Sequence, residues 1–323
     1  MNGMEQPVNK VLSCIVSYRD PAAIQRSLQR HKELIVPQGC QLSVIVFDNS
    51  QSPDVAEKLK ALVEEFSATL IILPENLGVA GPYKFAAEMA LKKGFQFLWL
   101  WDQDSIIPKG CLSELLQVFT NNQSIEKLGI VAPKLEDPTG SESNWITSAA
   151  PFDLWALRGG RIPMAELREG VMPSTFVFNS GALICAEMLK AIGAPSTEYF
   201  MDVVDFEYCA RAYRAGWKIL VHAGSPVVHA AGDPERFQLG VQFYARNHPA
   251  YRFYYMAKNE MLLAHDYSTN TLLVPKASLR IFMVSVRILF ERTGRFKKLA
   301  AFFRGWWDGL RNIRGKSHPS WVG

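Results

Sequence analysis

The sequence predicts an α/β fold: a mostly parallel, doubly wound sheet followed by a C-terminal helical extension. Three observations carry this. From Val11 to Trp101, apolar segments alternate with amphipathic helical ones, four strands against three helices. Each apolar segment ends in a short polar or glycine-containing turn, and in an open α/β sheet such turns gather along one edge. Beyond Gly232 the alternation stops, and aromatic and aliphatic stripes run among Arg and Lys instead.

In order, residues 11–18 read as the first strand, and Pro21 opens a helix with Ile24, Leu28 and Ile35 apolar. Residues 42–47 are a β-branched strand that runs into Asp48-Asn49-Ser50. Residues 53–66 form an amphipathic helix and 70–73 a third strand, followed by Glu75-Asn76-Leu77-Gly78-Val79-Ala80-Gly81. Residues 82–94 form a helix closed by Lys92-Lys93-Gly94, with cations and glycine where a helix stop wants them. Residues 95–101 are apolar and aromatic enough for a strand buried on both faces, and they run straight into Asp102-Gln103-Asp104.

The second half is less regular. Residues 134–173, rich in Gly, Pro and Ser with Trp145 and Trp155, predict a long loop or small antiparallel excursion covering the site. Residues 176–185 predict a strand interrupted at Asn179-Ser180-Gly181. A helix over 204–215, a short strand over 218–222 and an apolar segment over 226–229 follow. Helices are expected over 260–265, 279–290 and 296–313.

Composition bounds the class. The 323 residues are 48% hydrophobic and 20% charged, globular values that exclude general disorder. Five scattered cysteines, without metal-ligand spacing, argue against a disulfide framework or a zinc site and fit a reducing, cytoplasmic setting. The polar start predicts no signal peptide, and the apolar run 281–290 contains Arg287 and is too short to span a bilayer. The net charge of +4 hides an asymmetry: residues 275–316 carry 11 Lys and Arg against 2 acids, a net of +9. That basic tail suggests an anionic surface, such as a membrane surface, as partner, with the protein soluble or peripheral. Phe302, Phe303, Trp306, Trp307 and Leu310 lie among Lys297, Lys298, Arg304, Arg311 and Arg314, and packing on the core explains them equally well. The concentration of basic residues in one amphipathic tail argues against nucleic-acid binding.

The chemistry centres on Asp102 and Asp104. Two acids beyond a buried strand cost desolvation unless a cation compensates, and Mg²⁺ or Mn²⁺ on a diphosphate would do so; a solvated turn is the plain alternative. Tyr18, Asp48 and Asn76 would line the same crevice. Asp48 can accept from a base or ribose, although Asp-Asn-Ser also makes an ordinary turn. Gly78 and Gly81 permit close approach to a phosphate before a helix N-terminus, or simply start the helix. Asp202, Asp205 and Glu207 open a helix, where one can serve as general base or Asp202 or Asp205 as N-cap. His229 is a third metal ligand, a phosphate contact or a structural hydrogen-bonder.

Taken together these features resemble family 2 glycosyltransferases of the GT-A fold, within them the bacterial rhamnosyltransferase-like group. The resemblance covers about residues 11–260 and rests on motifs in the family's order: Val16-Ser17-Tyr18, Phe47-Asp48-Asn49-Ser50, Asn76 to Gly81, Trp101-Asp102-Gln103-Asp104-Ser105, Asn179-Ser180-Gly181, Asp202 to Glu207 followed by Arg211, and Val228-His229. It implies inverting transfer from a dTDP- or UDP-sugar to a saccharide or lipid-linked saccharide. Ser17, Tyr18, Asp48, Asn76, Gly78, Asp102 and Gln103 would hold the nucleotide-sugar. Asp102, Asp104 and His229 would serve the metal, and Asp205 would be the base, with Asp202 and Glu207 as rivals. Residues 1–235 would be the catalytic domain and 236–323 the helical extension. Pro82, Lys84 and Ala86 depart from the family's Gly-rich turn, and Lys258 stands where the family often has Arg. A galactofuranosyltransferase, or a silent sugar-nucleotide-binding partner of the same fold, is the alternative; a nucleotidyltransferase is a more distant one.

Overall fold

A computed structural model describes residues 9–136, 145–147, 161–163, 170–228, 235–239, 241–245, 248–267, 273–291 and 293–317. The first half follows the alternation: β1 (Asn9–Ser17), α1 (Pro21–Lys32), β2 (Cys40–Asp48), α2 (Pro53–Glu65), β3 (Thr69–Ile72), α3 (Ala80–Lys92), β4 (Phe97–Asp102) and α4 (Cys111–Asn121). Local chemistry explains the starts. Asp20 caps α1 by accepting from the Ala23 N–H at 3.0 Å, with Pro21 in the first turn.

Then come β5 (Leu128–Glu136), β6 (Trp145–Thr147), β7 (Arg161–Pro163), β8 (Val171–Ser174), β9 (Leu183–Cys185), α5 (Ala186–Ile192), a 3-10 turn (Thr197–Tyr199), α6 (Val204–Arg214) and β10 (Lys218–Val228). Strands β11 (Glu235–Leu239) and β12 (Val241–Ala245) form a small antiparallel pair, as do β6 and β7. The main sheet has eight strands in the order β3-β2-β1-β4-β9-β5-β10-β8. It is mostly parallel; β9 and β8 run against their neighbours. One face buries Ile24, Leu28, Leu59, Leu112 and Leu115 from α1, α2 and α4, and the other buries Ala86, Ala90, Met188, Leu189 and Tyr208 from α3, α5 and α6. The sheet is thus doubly wound.

Three sequence expectations change. The strand expected over 176–185 is only β9, three residues long. Phe176 instead stacks on Phe206, ring centroids 3.8 Å apart, and Gly181 turns the chain with φ of +85°. Its apolar character therefore serves ring packing and not a ladder. The segments expected at 218–222 and 226–229 are one strand, β10, with a register shift between His222 and Val227. Neither Asp202 nor Asp205 caps α6; its N-cap is Val203, in the left-handed region with φ of 62°.

The C-terminal part holds α7 (Ala250–Tyr267), α8 (Leu273–Ile288) and α9 (Arg295–Leu310). Helix α9 lies against α7, burying Ala301, Phe302, Gly305 and Gly309. Both glycines permit the approach: a Cβ at Gly305 would sit 2.1 Å from the Tyr254 carbonyl oxygen, and one at Gly309 2.6 Å from that of Lys258. Tyr254 Oη donates to Asp308 at 2.9 Å across this contact. Lys258, which replaces the expected Arg, is fully buried; it donates to the Gly315 carbonyl and lies 4.7 Å from the Tyr255 ring centroid. Burial lowers its pKa to about 8. No helix among the described residues is long and apolar enough to cross a membrane.

Gly305→Ala is expected to destabilise the protein by about 1–3 kcal/mol, because the clash is with backbone and α7 and α9 must part. Thermal unfolding checks this; an unchanged midpoint would mean that the helices are not in contact there.

Candidate functional site

Parallel register brings the first acids together. Ser17 at the end of β1 pairs with Asp48 at the end of β2, and Val16 pairs with Asp102 at the end of β4. All three strands point their carboxyl ends the same way, so their turns share one edge of the sheet.

Asp48 is 1% exposed. Its Oδ1 accepts from the Ser50 N–H at 3.0 Å, whereas its Oδ2 and the Ser17 hydroxyl are buried without a hydrogen-bond partner among the described residues. Buried polar atoms left so are costly, and a ligand that reaches them would satisfy them. Gln103 is spent on the backbone: its side chain accepts from the Tyr18 N–H at 2.8 Å and donates to the Tyr18 carbonyl at 3.2 Å, clamping the ends of β1 and β4 together. Asn76 is likewise a turn residue, accepting from the Gly78 N–H at 2.8 Å and from Asn49 Nδ2 at 3.0 Å.

Gly78 is needed for a reason different from phosphate approach. Its φ is +64°, and a Cβ there would lie 2.0 Å from the Phe200 carbonyl oxygen. That oxygen accepts from the Ala80 N–H at 3.1 Å, tying the start of α3 to the second acidic cluster.

Asp102 is half-buried, and its Oδ1 accepts from the Tyr83 hydroxyl at 3.1 Å. Burial, with Asp102 alongside, raises the Tyr83 pKa, so this phenol stays a donor. Asp104 is exposed and lines a cleft of about 520 Å³ with Arg26, Gln29 and Ile106. Among the described residues, no group of three His, Cys, Asp or Glu side chains stands together to hold a metal. His229 lies outside the described residues, as does Trp155.

The second cluster sits on a strained loop. Phe200, Asp202 and Val203 have φ of 56°, 54° and 62°, none of them glycine and one β-branched. Asn259 of α7, fully buried, donates through Nδ2 to the carbonyls of Tyr199, Met201 at 2.6 Å and Asp202 at 3.0 Å. The carboxylates of this cluster then divide. Asp202 pairs with Arg252 through two contacts, the tighter at 2.5 Å. Glu207, 5% exposed, holds Arg211 at 2.9 and 2.8 Å and accepts from Tyr267 Oη at 2.9 Å. Arg211 in turn donates to the Ile192 and Ala194 carbonyls, so Glu207 is a structural anchor and not a free base. Asp205 accepts from the Phe206 N–H next to it, at 2.9 Å, and from its own backbone N–H, with no cationic partner among the described residues. Burial raises its pKa from 3.8 to about 7, and the charges of Asp102 and Asp202 push the same way. Asp205 and Asp102 therefore feel one another across the crevice.

Sequence reasoning missed Tyr83, Arg252 and Asn259. Asn259 carried the clearest signal, a lone amide on the buried helical stripe of Tyr255 and Leu262.

The family model described as glycosyltransferase like family 2 matches residues 9–248. The dTDP-rhamnosyl transferase RfbF of Shigella flexneri is 25% identical over 274 residues, 84% of this chain and 87% of the relative. The galactofuranosyltransferase GlfT1 of Mycobacterium tuberculosis is 23% identical over 228 residues, 70% of this chain and 71% of its own. In structure, the mannosyltransferase PcManGT of Pyrobaculum calidifontis, solved with GDP-Man and Mn²⁺, superposes with a TM-score of 0.56 at 12% identity, covering 94% of this chain and 87% of its own. S. aureus TarS gives 0.51 at 14% identity; 94% of this chain matches, spanning 44% of TarS. The fold is that of GT-A glycosyltransferases.

Because Asp205 keeps its proton to a higher pH folded than unfolded, stability is greatest below about pH 4 for this group and falls as pH rises through about 7. Asp205→Asn removes that loss, worth up to about 4 kcal/mol. The variant should melt higher than the parent at pH 8 and alike at pH 4; an equal difference at both pH values would contradict the raised pKa.

Proposed function

Because the chain belongs to glycosyltransferase family 2, we propose that it transfers L-rhamnose from dTDP-L-rhamnose to a saccharide or lipid-linked saccharide, with inversion at the anomeric carbon. It is a nucleotide-sugar glycosyltransferase; the sugar, the acceptor, the metal and the residue roles are our reading. The product would be part of a bacterial surface polysaccharide. The observation that carries the reading is Asp205, the carboxylate of its cluster without a cationic partner among the described residues, with a pKa raised to about 7 beside Asp102. A base that titrates near the working pH is suited to take a proton from a hydroxyl.

Asp205 would accept the proton of the acceptor hydroxyl as that oxygen attacks the anomeric carbon. The bond from that carbon to the diphosphate breaks on the opposite face, its electron pair leaves with the nucleoside diphosphate, and the configuration inverts. Asp205 can tell the two faces apart because its loop is locked by Asn259. Asp48 Oδ2 and Ser17 Oγ, the unpartnered atoms at the ends of β1 and β2, would bind the nucleoside, with the Tyr18 backbone fixed by Gln103.

Asp102 and Asp104 would hold Mg²⁺ or Mn²⁺. The donor set fits: two carboxylates from one turn, with Asp102 oriented by Tyr83. Such ions are commonly held by one or two carboxylates and completed by water and substrate phosphates. When bound, the ion neutralises charge on the departing diphosphate.

The 25% identity to a dTDP-rhamnosyl transferase supports the donor. The 23% identity to a galactofuranosyltransferase supports a second reading, UDP-galactofuranose.

Asp205→Asn should lower kcat by about 10²–10⁴-fold and leave donor affinity in place; if Asp202→Asn does this instead, the base is Asp202. Asp104→Ala should abolish turnover in a folded protein, and near-normal activity would remove the metal assignment. Thermal shifts with dTDP-rhamnose, UDP-galactofuranose, UDP-glucose and GDP-mannose, each with and without Mn²⁺, test the donor. Stabilisation by dTDP-rhamnose in the presence of metal is the expected result; stabilisation by UDP-galactofuranose alone selects the second reading, and by either other donor alone refutes both.

A further inference from the structure

Helix α8 is apolar on two opposite sides. Ala277, Ile281 and Ile288 are buried and join the C-terminal core. Leu279, Phe282, Met283 and Val286 are all exposed, Val286 at 54%, as is Leu289 in the turn that follows. At about 100° per residue the four helical ones fall within an arc of about 100°, facing away from the buried three. A soluble helix with one covered side normally turns polar residues outward, and α8 does not. The stripe has support beneath it: the Phe282 ring lies 5.4 Å from those of Phe303 and Trp306 on α9.

The α9 aromatics, which in sequence suit a membrane surface or the core equally, divide between the two. Phe302 is 2% exposed, buried against α7, and Trp306 Nε1 donates to Ser278 at 3.1 Å, so these two pack inward, whereas Trp307 is 52% exposed. Helix α8 adds a longer outward apolar face, and it continues past the turn to Phe296, which is 84% exposed between exposed Arg295 and Lys297.

We infer that the outward stripe of α8, with Phe296, docks the protein on an anionic lipid bilayer, the helix lying in the plane of the interface. Two arguments choose this occupant. First, the stripe ends among exposed cations, Arg287, Arg295 and Lys297, in the segment 275–316 whose own net charge is +9, of which Arg280, Arg314 and Lys316 are paired with acids outside it. Apolar side chains enter the headgroup boundary while the cations meet anionic lipid. Second, a second copy seated on the stripe would set that positive segment against itself, since a two-fold contact joins the same patch on both partners. The helix does not cross the bilayer. The inference does not rest on the glycosyl-transfer reading, for the lipid itself and not a sugar is the ligand.

Co-sedimentation of the full chain with vesicles tests it. Phosphatidylcholine vesicles containing phosphatidylglycerol should carry the protein down, pure phosphatidylcholine should not, and added salt should release it. Val286→Asp and Phe296→Glu should each weaken partitioning about tenfold or more. Phe296, with almost nothing packed on it, supplies a variant that folds regardless, and its melting temperature and nucleotide-sugar turnover should match the parent's. The inference fails if anionic vesicles bind no better than neutral ones, or if Phe296→Glu binds as the parent does. It also fails if light scattering shows a dimer that Val286→Asp dissociates, since a second copy then covers the stripe.

Discussion

The amide of Asn259 is the contact on which the site depends. Three left-handed residues within four positions, at 200, 202 and 203, would each cost about 1–3 kcal/mol in a free loop. They persist because one buried side chain ties down the carbonyls of Tyr199, Met201 and Asp202. That loop sets where Asp202 and Asp205 stand, and its Phe200 carbonyl meets Gly78 and the Ala80 N–H at the start of α3. The two halves of the crevice, one from the strand ends and one from the loop before α6, are therefore held in register by backbone contacts at Phe200.

It follows that the C-terminal helices are part of the site. Asn259 and Arg252 both come from α7, beyond the boundary that the sequence suggests at residue 235. Helix α7 is kept in place by α9 through Gly305 and Gly309 and the Tyr254–Asp308 hydrogen bond. The segment after α9 closes the arrangement: Arg314 pairs with Asp266 and Glu198, and Lys316 reaches Glu75 in the turn before Asn76. The buried Lys258 belongs to this closure, exchanging hydration for two aromatic faces and the Gly315 carbonyl. What reads in sequence as a basic tail is, on its inner side, the frame of the loop at 199–203.

The sequence was legible where period and turn chemistry act locally. The alternation up to Asp102, the helix starts at Pro21 and Pro53 and the grouping of acids at strand ends all follow from short-range signals. The strand β9 was not, because it is three residues inserted antiparallel between β4 and β5, and only tertiary packing explains it. The roles of the acids were harder still. Glu207 and Arg211, one helical turn apart, form a pair that spacing alone permits. Asp202 pairs with Arg252, fifty positions on, and no local pattern announces that. Asn76 and Gln103 sit within family motifs, yet each spends its hydrogen bonds on neighbouring backbone or turn groups.

Partner choice then explains why one acid of the second cluster differs from the rest. Asp202 and Glu207 each pair with a guanidinium, of Arg252 and Arg211. Asp205 has only backbone N–H groups to favour its charge and two like charges nearby, so burial works against its ionisation. The same crevice would become favourable to that carboxylate as soon as positive charge enters it. On the proposed roles, a cation held by Asp102 and Asp104 would offset the Asp102 charge that raises the Asp205 pKa, lower that pKa and leave the carboxylate ionised, ready to take the acceptor's proton once the donor side of the crevice is filled.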